Sequence, residues 1–213
     1  MVKYDHYDVR DAWLANRDDH IGASEAGAIL GVGFMSKVDL WKIKTGRMKP
    51  KDLSDNASVL YGNRAESALR NLFMAKHPEL ALQYRPYDFV YQEERPWLRA
   101  TLDGEVYAYG DPTDKGILEI KTATLMSRAD WAKWDGRVPD GYLAQLSHQF
   151  LATGFSHAYL FAELTGADGN SEIRTYFFDR NDMQENMDYL LSEEESFWDC
   201  VVNDMVPAVP LRI

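Results

Sequence analysis

The sequence predicts an α/β fold of the α+β type, with a central mixed β-sheet flanked by helices. Hydrophobic periodicity and turn residues divide the chain into a helical first third, a strand-rich middle and a helical end. This order of helices and strands is typical of a sheet with helices on its faces. Neither an internal repeat nor a low-complexity linker interrupts it. We therefore expect one domain over residues 1–213, with a helical N-terminal part and an acidic C-terminal helix.

The first third contains three helix signals. Ser24 can act as the N-cap of a short helix that extends through Ile29. A second helix is predicted over 38–45, before Gly46. The longest helix is predicted over 57–76, and the His-Pro pair that follows it favours a stop there.

The middle of the chain is rich in β-branched and aromatic residues that are separated by turn residues. The predicted elements are strands over 89–91, 98–102, 105–109 and 117–122, a helix over 142–152, strands over 157–163 and 173–178, and an acidic helix over 182–203. A loop over 110–116 would join two of these strands as a hairpin.

Several protein classes are excluded by what the chain lacks. Cys200 is the only cysteine, which excludes an intramolecular disulfide and a cysteine-cluster zinc site. The sequence has no phosphate-binding GK[ST] loop and no glycine-framed serine nucleophile. It also has no apolar run near the roughly 18 residues of a membrane helix and no signal-peptide core at its start. We expect a soluble intracellular protein.

The net charge of −11 argues against binding of nucleic acid by bulk electrostatic attraction. However, the charge is unevenly distributed. Residues 37–51 contain six basic side chains against Asp39, a balance of +5, whereas residues 172–204 contain ten acidic side chains against two arginines, a balance of −8. The first segment could contact nucleic acid, and a solvated basic loop is an equally good interpretation.

The most informative stretch is a strand that contains Glu119 and Lys121. Side chains two apart in a strand share a face, so this carboxylate and ammonium project together. Asp103 ends the preceding strand, and a hairpin could bring it alongside Glu119. Two carboxylates suit Mg²⁺, with the lysine orienting or deprotonating an attacking water. The alternative is a salt bridge on a solvated sheet face, which the triplet alone favours.

Two further helices add polar side chains. Glu66 lies on or next to the buried stripe of the 57–76 helix, where either a shared metal or a salt bridge to Arg70 would offset its burial. These two interpretations are about equal. Gln145 and Gln149 lie along one line of the later helix and can donate to phosphate oxygens or to water, although such glutamines are more often simply exposed.

Five ordered motifs resemble the YqaJ-like viral recombinase family, or bacteriophage lambda exonuclease family, of the PD-(D/E)XK nuclease superfamily. The motifs are IGASE at 21–25, YGNRAE at 61–66, TLDG at 101–104, LEIKT at 118–122 and YLAQL at 142–146. The resemblance spans about residues 17–163 and implies a restriction-endonuclease-like core. Leu102 replaces the proline of the superfamily name.

The resemblance also implies roles for individual residues. The implied ligands of one or two Mg²⁺ or Mn²⁺ ions are Asp103, Glu119, the main-chain carbonyl of Ile120, and Glu66. Lys121 would position or activate the attacking water, and Gln145 would orient the metal site.

A second implied site binds the 5′-phosphate of a DNA end through Arg17, Ser24 and Thr101. Arginine supplies a bidentate fork to phosphate, and Ser24 at a helix start lies where an anion is favoured. The basic residues expected to contact the duplex backbone without reading its sequence are Lys42, Lys44, Arg47 and Lys49.

The implied activity is that of a metal-dependent deoxyribonuclease, a phosphodiesterase that digests duplex DNA from 5′ to 3′ and leaves 3′ single-stranded tails for recombination by strand annealing. A ring of three or four chains, a single-strand annealing partner and a cytoplasmic phage or prophage protein are expected with it. One alternative is an endonuclease or nickase with the same metal site. Another is a catalytically silent acidic module that binds a protein through residues 172–204.

Overall fold

The computed structural model describes residues 1–208, so the last five residues of the predicted domain lie outside the described residues. In chain order, the elements are β1 (Val2–His6), α1 (Arg10–Ala15), β2 (Ile21–Gly22), a 3₁₀ turn (Ala23–Glu25), α2 (Ala26–Ile29), α3 (Lys37–Lys44), α4 (Ala57–Lys76), β3 (Leu80–Gln83), β4 (Asp88–Gln92), β5 (Leu98–Ala100), β6 (Gly104–Ala108), β7 (Lys115–Leu125), α5 (Arg128–Ala132), α6 (Asp140–Thr153), β8 (His157–Gly166), β9 (Ser171–Asp179), a 3₁₀ turn (Asn181–Met183) and α7 (Gln184–Val202). Over these residues, none of the helices combines the length and hydrophobicity of a membrane span.

The strands form two sheets with helices on their faces. One sheet has the order β1-β4-β5-β2, in which β2 and β5 are parallel. The other has the order β3-β6-β7-β8-β9, in which β7 and β8 are parallel and the remaining neighbours are antiparallel. The predicted mixed α/β architecture is confirmed, but the strands are shared between two sheets instead of one.

Strand β7 is the centre of the larger sheet and is covered on both faces. Leu118 and Ile120 pack with Phe73 of α4 in one core cluster. Ile117 packs with Leu146 of α6 in the main cluster on the opposite face. Because side chains alternate along a strand, Glu119 and Lys121 project toward α6, where they are enclosed instead of lying on a solvated face.

The first third contains strands as well as helices, and it differs from the prediction at two points. Strand β1 pairs antiparallel with β4, from Val2 opposite Gln92 to His6 opposite Asp88, and periodicity within five residues does not reveal that pairing. Ser24 is not an N-cap as predicted, because it lies inside a 3₁₀ turn.

The backbone that precedes this turn has its own partner. The amide of Gly22 donates to Oε2 of Glu25 at 2.8 Å, which satisfies a free N–H at the start of the turn.

Helix α4 has the predicted bounds. Its N-cap is Asn56, whose side chain accepts hydrogen bonds from the amides of Ser58 and Val59. Strand β7 is longer than the predicted 117–122, because it pairs with β8 along ten residues. Such pairing is a long-range property that local periodicity does not contain.

Helix α7 is fixed to the core by a buried histidine and carboxylate. Nδ1 of His148 lies 2.7 Å from Oε1 of Glu194, and both side chains are completely buried. Nε2 of His148 lies 2.8 Å from the carbonyl of Arg99. Both ring nitrogens therefore face acceptors, an arrangement in which both must donate, so the geometry selects the imidazolium form.

This pair predicts a pH dependence of stability. Burial lowers the pKa of His148, but the negative charge of Glu194 and the hydrogen bonds to Glu194 and to the carbonyl of Arg99 together outweigh burial and raise the pKa above 6.5. The folded state therefore keeps a proton that the unfolded state loses above pH 6.5. The free energy of unfolding should fall as pH rises from there through the raised pKa, by at most about 1.4 kcal/mol per pH unit. Urea denaturation measured at several pH values checks this slope.

The matched variant is His148→Gln, which cannot titrate and should have a flatter profile above neutrality. An unchanged slope in that variant would contradict the assignment.

His20 affects stability in a different pH range, because burial and the charge of Lys44 lower its pKa to about 3. Its neutral folded form reduces stability as pH falls below 6.5.

Candidate active site

The hairpin between β6 and β7 brings Asp103 beside the polar face of β7. Gly104 lies opposite Leu118 in the antiparallel register. The amide of Ile120 donates to Oδ2 of Asp103 at 2.7 Å. Burial, together with the negative charge of Glu119, raises the pKa of Asp103 well above its ordinary value. The structure thus brings the two carboxylates together.

Glu119 is only 3% exposed, and its carboxylate is surrounded by donors. Nε2 of Gln145 donates to Oε1 at 2.7 Å, and Nε2 of Gln149 donates to Oε2 at 2.5 Å. Nζ of Lys121 lies 2.5 Å from Oε1. The sequence analysis offered Gln149 either as a donor to phosphate or water or as an exposed side chain, whereas the structure buries it completely as a donor to Glu119.

Lys121 links the carboxylates to α6. Its Nζ donates to Oε1 of Gln145 at 3.0 Å and lies 5.0 Å from the ring centroid of Tyr142. Burial lowers the pKa of Lys121, but the negative charges of Glu119 and Asp103 outweigh it and raise the pKa above its ordinary value. The lysine is therefore a cation at neutral pH.

Glu66 forms the salt bridge to Arg70 that the sequence offered as the alternative to a metal. Nε of Arg70 also donates to the main-chain carbonyl of Asp103 at 2.7 Å, so the Glu66–Arg70 pair is bound to the backbone that carries Asp103. In the part of the chain that the structure describes, no group of three or more Asp, Glu, His or Cys side chains is arranged to hold a metal ion. The metal role of Glu66 stays a prediction.

The three residues predicted to bind a 5′-phosphate gather around Trp13. The guanidinium of Arg17 donates to Oγ of Ser24 at 3.4 Å and lies 5.1 Å from the centroid of the Trp13 ring. Nε1 of Trp13 donates to Oγ1 of Thr101 at 3.2 Å, and that hydroxyl donates to the carbonyl of Asp88 at 3.0 Å. Sequence reasoning missed Trp13, because α1 was not predicted.

A single cleft of about 690 Å³ joins the two groups of residues. The predicted site residues that line it are Arg17, Ser24, Glu66, Thr101, Asp103 and Gln145. Glu119 and Lys121 lie behind the wall and contact it through Gln145. A phosphate at the Arg17 end and a reacting group near Asp103 could therefore occupy one continuous space.

The basic segment 37–51 is largely neutralised in the folded chain. Lys37 pairs with Glu193 at 2.7 Å, Lys42 with Asp39 at 3.1 Å, and Arg47 with Asp204 at 2.7 Å. Two of these three partners belong to α7 or directly follow it. Lys49 is exposed. The acidic C-terminal region therefore lies against the basic segment, and the charge separation along the sequence does not produce two opposed surfaces.

The prediction that Lys44 contacts the DNA backbone is wrong. Its side chain is completely buried, and its Nζ donates to the carbonyl of Arg17 at 2.8 Å and pairs with Glu25 at 2.9 Å. A helix residue in a lysine-rich run looks exposed in the sequence, but α3 turns this position inward. Lys44 thus holds the backbone that presents Arg17.

Comparisons with known proteins place these observations in a family context. The model of the YqaJ-like viral recombinase domain matches residues 12–156. The protein YqaJ of Bacillus subtilis (strain 168) is 28% identical in an alignment over 210 residues that covers 94% of this chain and 59% of the relative. The chain therefore spans 59% of the length of that curated relative.

Solved structures share the fold. An alkaline exonuclease from Laribacter hongkongensis, LHK-Exo, matches with a TM-score of 0.60 at 16% identity over 91% of this chain and 93% of that one. The same enzyme in complex with dAMP gives 0.62 at 15% identity with the same coverage. A phage-related exonuclease from Haemophilus somnus 129PT gives 0.53 at 15% identity over 87% of this chain and 96% of that one. The predicted PD-(D/E)XK-type fold is confirmed.

The burial of Lys44 predicts a large stability effect. Lys44→Met would leave the carboxylate of Glu25 without its cation in a mostly buried position. The free energy of unfolding should fall by about 3 kcal/mol, the cost of breaking a buried ion pair. Urea denaturation measures it.

The matched control is Lys42→Met. Lys42 lies on the same helix as Lys44, but it pairs with Asp39 at the surface. Its unfolding should be nearly unchanged, because exposed ion pairs contribute little. Equal losses in the two variants would contradict the structural role of Lys44.

Proposed function

The chain belongs to the YqaJ-like viral recombinase family, and from this membership we propose that it is a divalent-metal-dependent deoxyribonuclease that digests one strand of duplex DNA from a 5′ end. The observation that supports this proposal is the shared cleft. Asp103 lines the same space as Arg17 and Ser24. A terminal phosphate and a phosphodiester of the same strand could therefore be held together.

The donor set near Asp103 fits a hard cation. Two carboxylates and a main-chain carbonyl are oxygen ligands of the kind that Mg²⁺ and Mn²⁺ prefer. Burial and the charge of Glu119 raise the pKa of Asp103, an electrostatic conflict that a divalent cation would relieve. Asp103, Glu119 and the carbonyl of Ile120 would hold the ion, which when bound would stabilise charge on the transferring phosphoryl group.

Lys121 and Gln145 would order the attacking water. The raised pKa of Lys121 keeps it protonated, so it would position the water and the phosphate oxygens as a donor and a positive charge. Gln145 fixes this ammonium by accepting from it at 3.0 Å while donating to Glu119. Gln145 lines the cleft, so it links Lys121 to the space that the substrate would occupy.

Arg17 and Ser24 would recognise the 5′-phosphate. Arginine forms two parallel hydrogen bonds to phosphate, and the serine hydroxyl adds a neighbouring donor. The hydroxyl of Thr101 already donates to the carbonyl of Asp88, so its contribution would be to support Trp13. An anchor for the 5′ end favours 5′-to-3′ digestion, and we propose 5′-mononucleotides as products.

The biological setting proposed here follows from the family alone. Digestion from 5′ ends would leave 3′ single-stranded tails, the substrate of a strand-annealing protein. A ring of three or four chains would keep the enzyme on its substrate, in the cytoplasm of a bacterial host of a phage or prophage. Lys49 is exposed and would be free to contact the DNA backbone. Lys42 and Arg47 would do so only after giving up their ion pairs with Asp39 and Asp204.

Removal of the lysine cation should abolish the reaction. Lys121→Ala leaves Glu119 without its ion pair and the water without its donor, so degradation of linear duplex with Mg²⁺ should fall at least about 100-fold. Release of acid-soluble nucleotide measures the rate. The control is Lys133→Ala, which changes an exposed lysine of the segment after α5 and should keep the wild-type rate. Equal rates in wild type and Lys121→Ala would refute the proposed site.

The phosphate anchor predicts both polarity and end dependence. A 5′-phosphorylated duplex should be digested faster than its 5′-hydroxyl counterpart, and Arg17→Ala should reduce that preference. Duplexes labelled at either end and sampled over time check the order of release. Early release of the 3′ label would contradict the Arg17 and Ser24 assignment. Cleavage of covalently closed circular DNA would identify an endonuclease instead.

A further inference from the structure

One wall of the cleft carries an exposed aromatic ring that the proposed catalytic roles do not use. Tyr84 directly follows β3 and lines the same cleft as Asp103 and Arg17. The residue is 42% exposed, a large fraction for an aromatic side chain in a concave site. Aromatic rings with an open face are the usual contact surface for unpaired bases.

The other face of the Tyr84 ring is occupied and fixed. The guanidinium carbon of Arg70 lies 3.6 Å from the ring centroid. Arg70 itself is buried, donates to the carbonyl of Asp103 at 2.7 Å and pairs with Glu66. The ring therefore rests on a cation that is anchored to the backbone of a proposed metal ligand, and its exposed surface is the opposite face and edge.

The segment after Tyr84 holds a second aromatic residue in a strained conformation. Tyr87 has a φ of 63°, which is rare for a bulky side chain. Its ring lies 6.2 Å from Trp13 and lines the same cleft. Strained residues concentrate at ligand sites. The turn that contains both tyrosines thus presents two rings to the space between the phosphate anchor and the carboxylates.

We infer that Tyr84 is the stacking platform for the nucleobase of the 5′-terminal nucleotide, an inference that rests on the proposed function. With the terminal phosphate at Arg17 and the next phosphodiester near Asp103, the nucleoside between them must lie against the cleft wall. Every base has a π-face, and stacking does not use the hydrogen-bonding groups at the edge of the base. The Tyr84 ring would therefore accept all four bases. Such a subsite holds each new end without selecting sequence.

The test combines a change in the substrate with a change in the protein. Two 5′-phosphorylated duplexes are compared, one with a normal terminal nucleotide and one whose terminal nucleotide is abasic. Wild type should digest the normal end about tenfold faster in a single turnover below saturation, as expected for loss of one stacked base. Tyr84→Leu should bring this ratio close to one by slowing the normal end, whereas Tyr84→Phe should keep it.

The control variant is Tyr109→Leu, which removes a ring that is 83% exposed and outside the residues lining the cleft. It should retain the wild-type ratio. If Tyr84→Leu slows both ends equally, the ring acts only through Arg70 and the inference is overturned. An unchanged ratio in Tyr84→Leu overturns it as well.

Binding of the same two ends, measured by fluorescence anisotropy without metal, separates this inference from the proposed function. Absence of digestion by wild type on either end refutes the nuclease proposal, whereas the affinity ratio still reports stacking. Equal affinity of wild type for normal and abasic ends refutes the platform even when digestion occurs. Thermal melting of each variant confirms that the compared proteins are folded.

Discussion

The buried carboxylate of Glu119 is the constraint on which the centre of the molecule depends. A charge that is 3% exposed in the middle of a sheet requires compensation, because an unpaired buried carboxylate is strongly unfavourable. Gln145 and Gln149 supply it from successive turns of α6, and Lys121 supplies it from the same strand. This network fixes the rotation of α6 against β7, which also determines where the apolar side of the helix packs.

A second buried charge network connects the cleft to the C-terminal helix. His148, one turn along α6 from Gln145, joins Glu194 of α7 and the carbonyl of Arg99 on β5. In a similar way, Lys44 of α3 holds the backbone of Arg17 by donating to its carbonyl. Cations and carboxylates that are distant in the sequence thus position the two ends of the cleft. The net charge of −11 consequently describes a chain whose acidic region is engaged with its own basic segment.

The sequence was most informative where the structure depends on local order. The bounds of α4 follow from periodicity and a terminal proline, and the proximity of Asp103 to Glu119 follows from a hairpin with a recognisable turn. Strand β1, helix α1 and the inward orientation of Lys44 were not predictable in this way. Each depends on a partner more than twenty residues away, such as β4 for β1 or Arg17 for Lys44. Glu66 shows the intermediate case, since its stripe position allowed two partners and only packing selects Arg70.

The charges around the carboxylates agree with the proposal that this site binds a divalent cation and a phosphodiester. Glu66 and Arg70 neutralise each other, so the remaining set of Asp103, Glu119 and Lys121 carries a net charge of about −1 when both acids are ionised. A divalent cation would change that balance to about +1, and a phosphodiester would return it to neutrality. Neither the cation nor the phosphodiester alone gives a balanced site. Burial and the negative charge of Glu119 raise the pKa of Asp103, and a bound cation would oppose that rise.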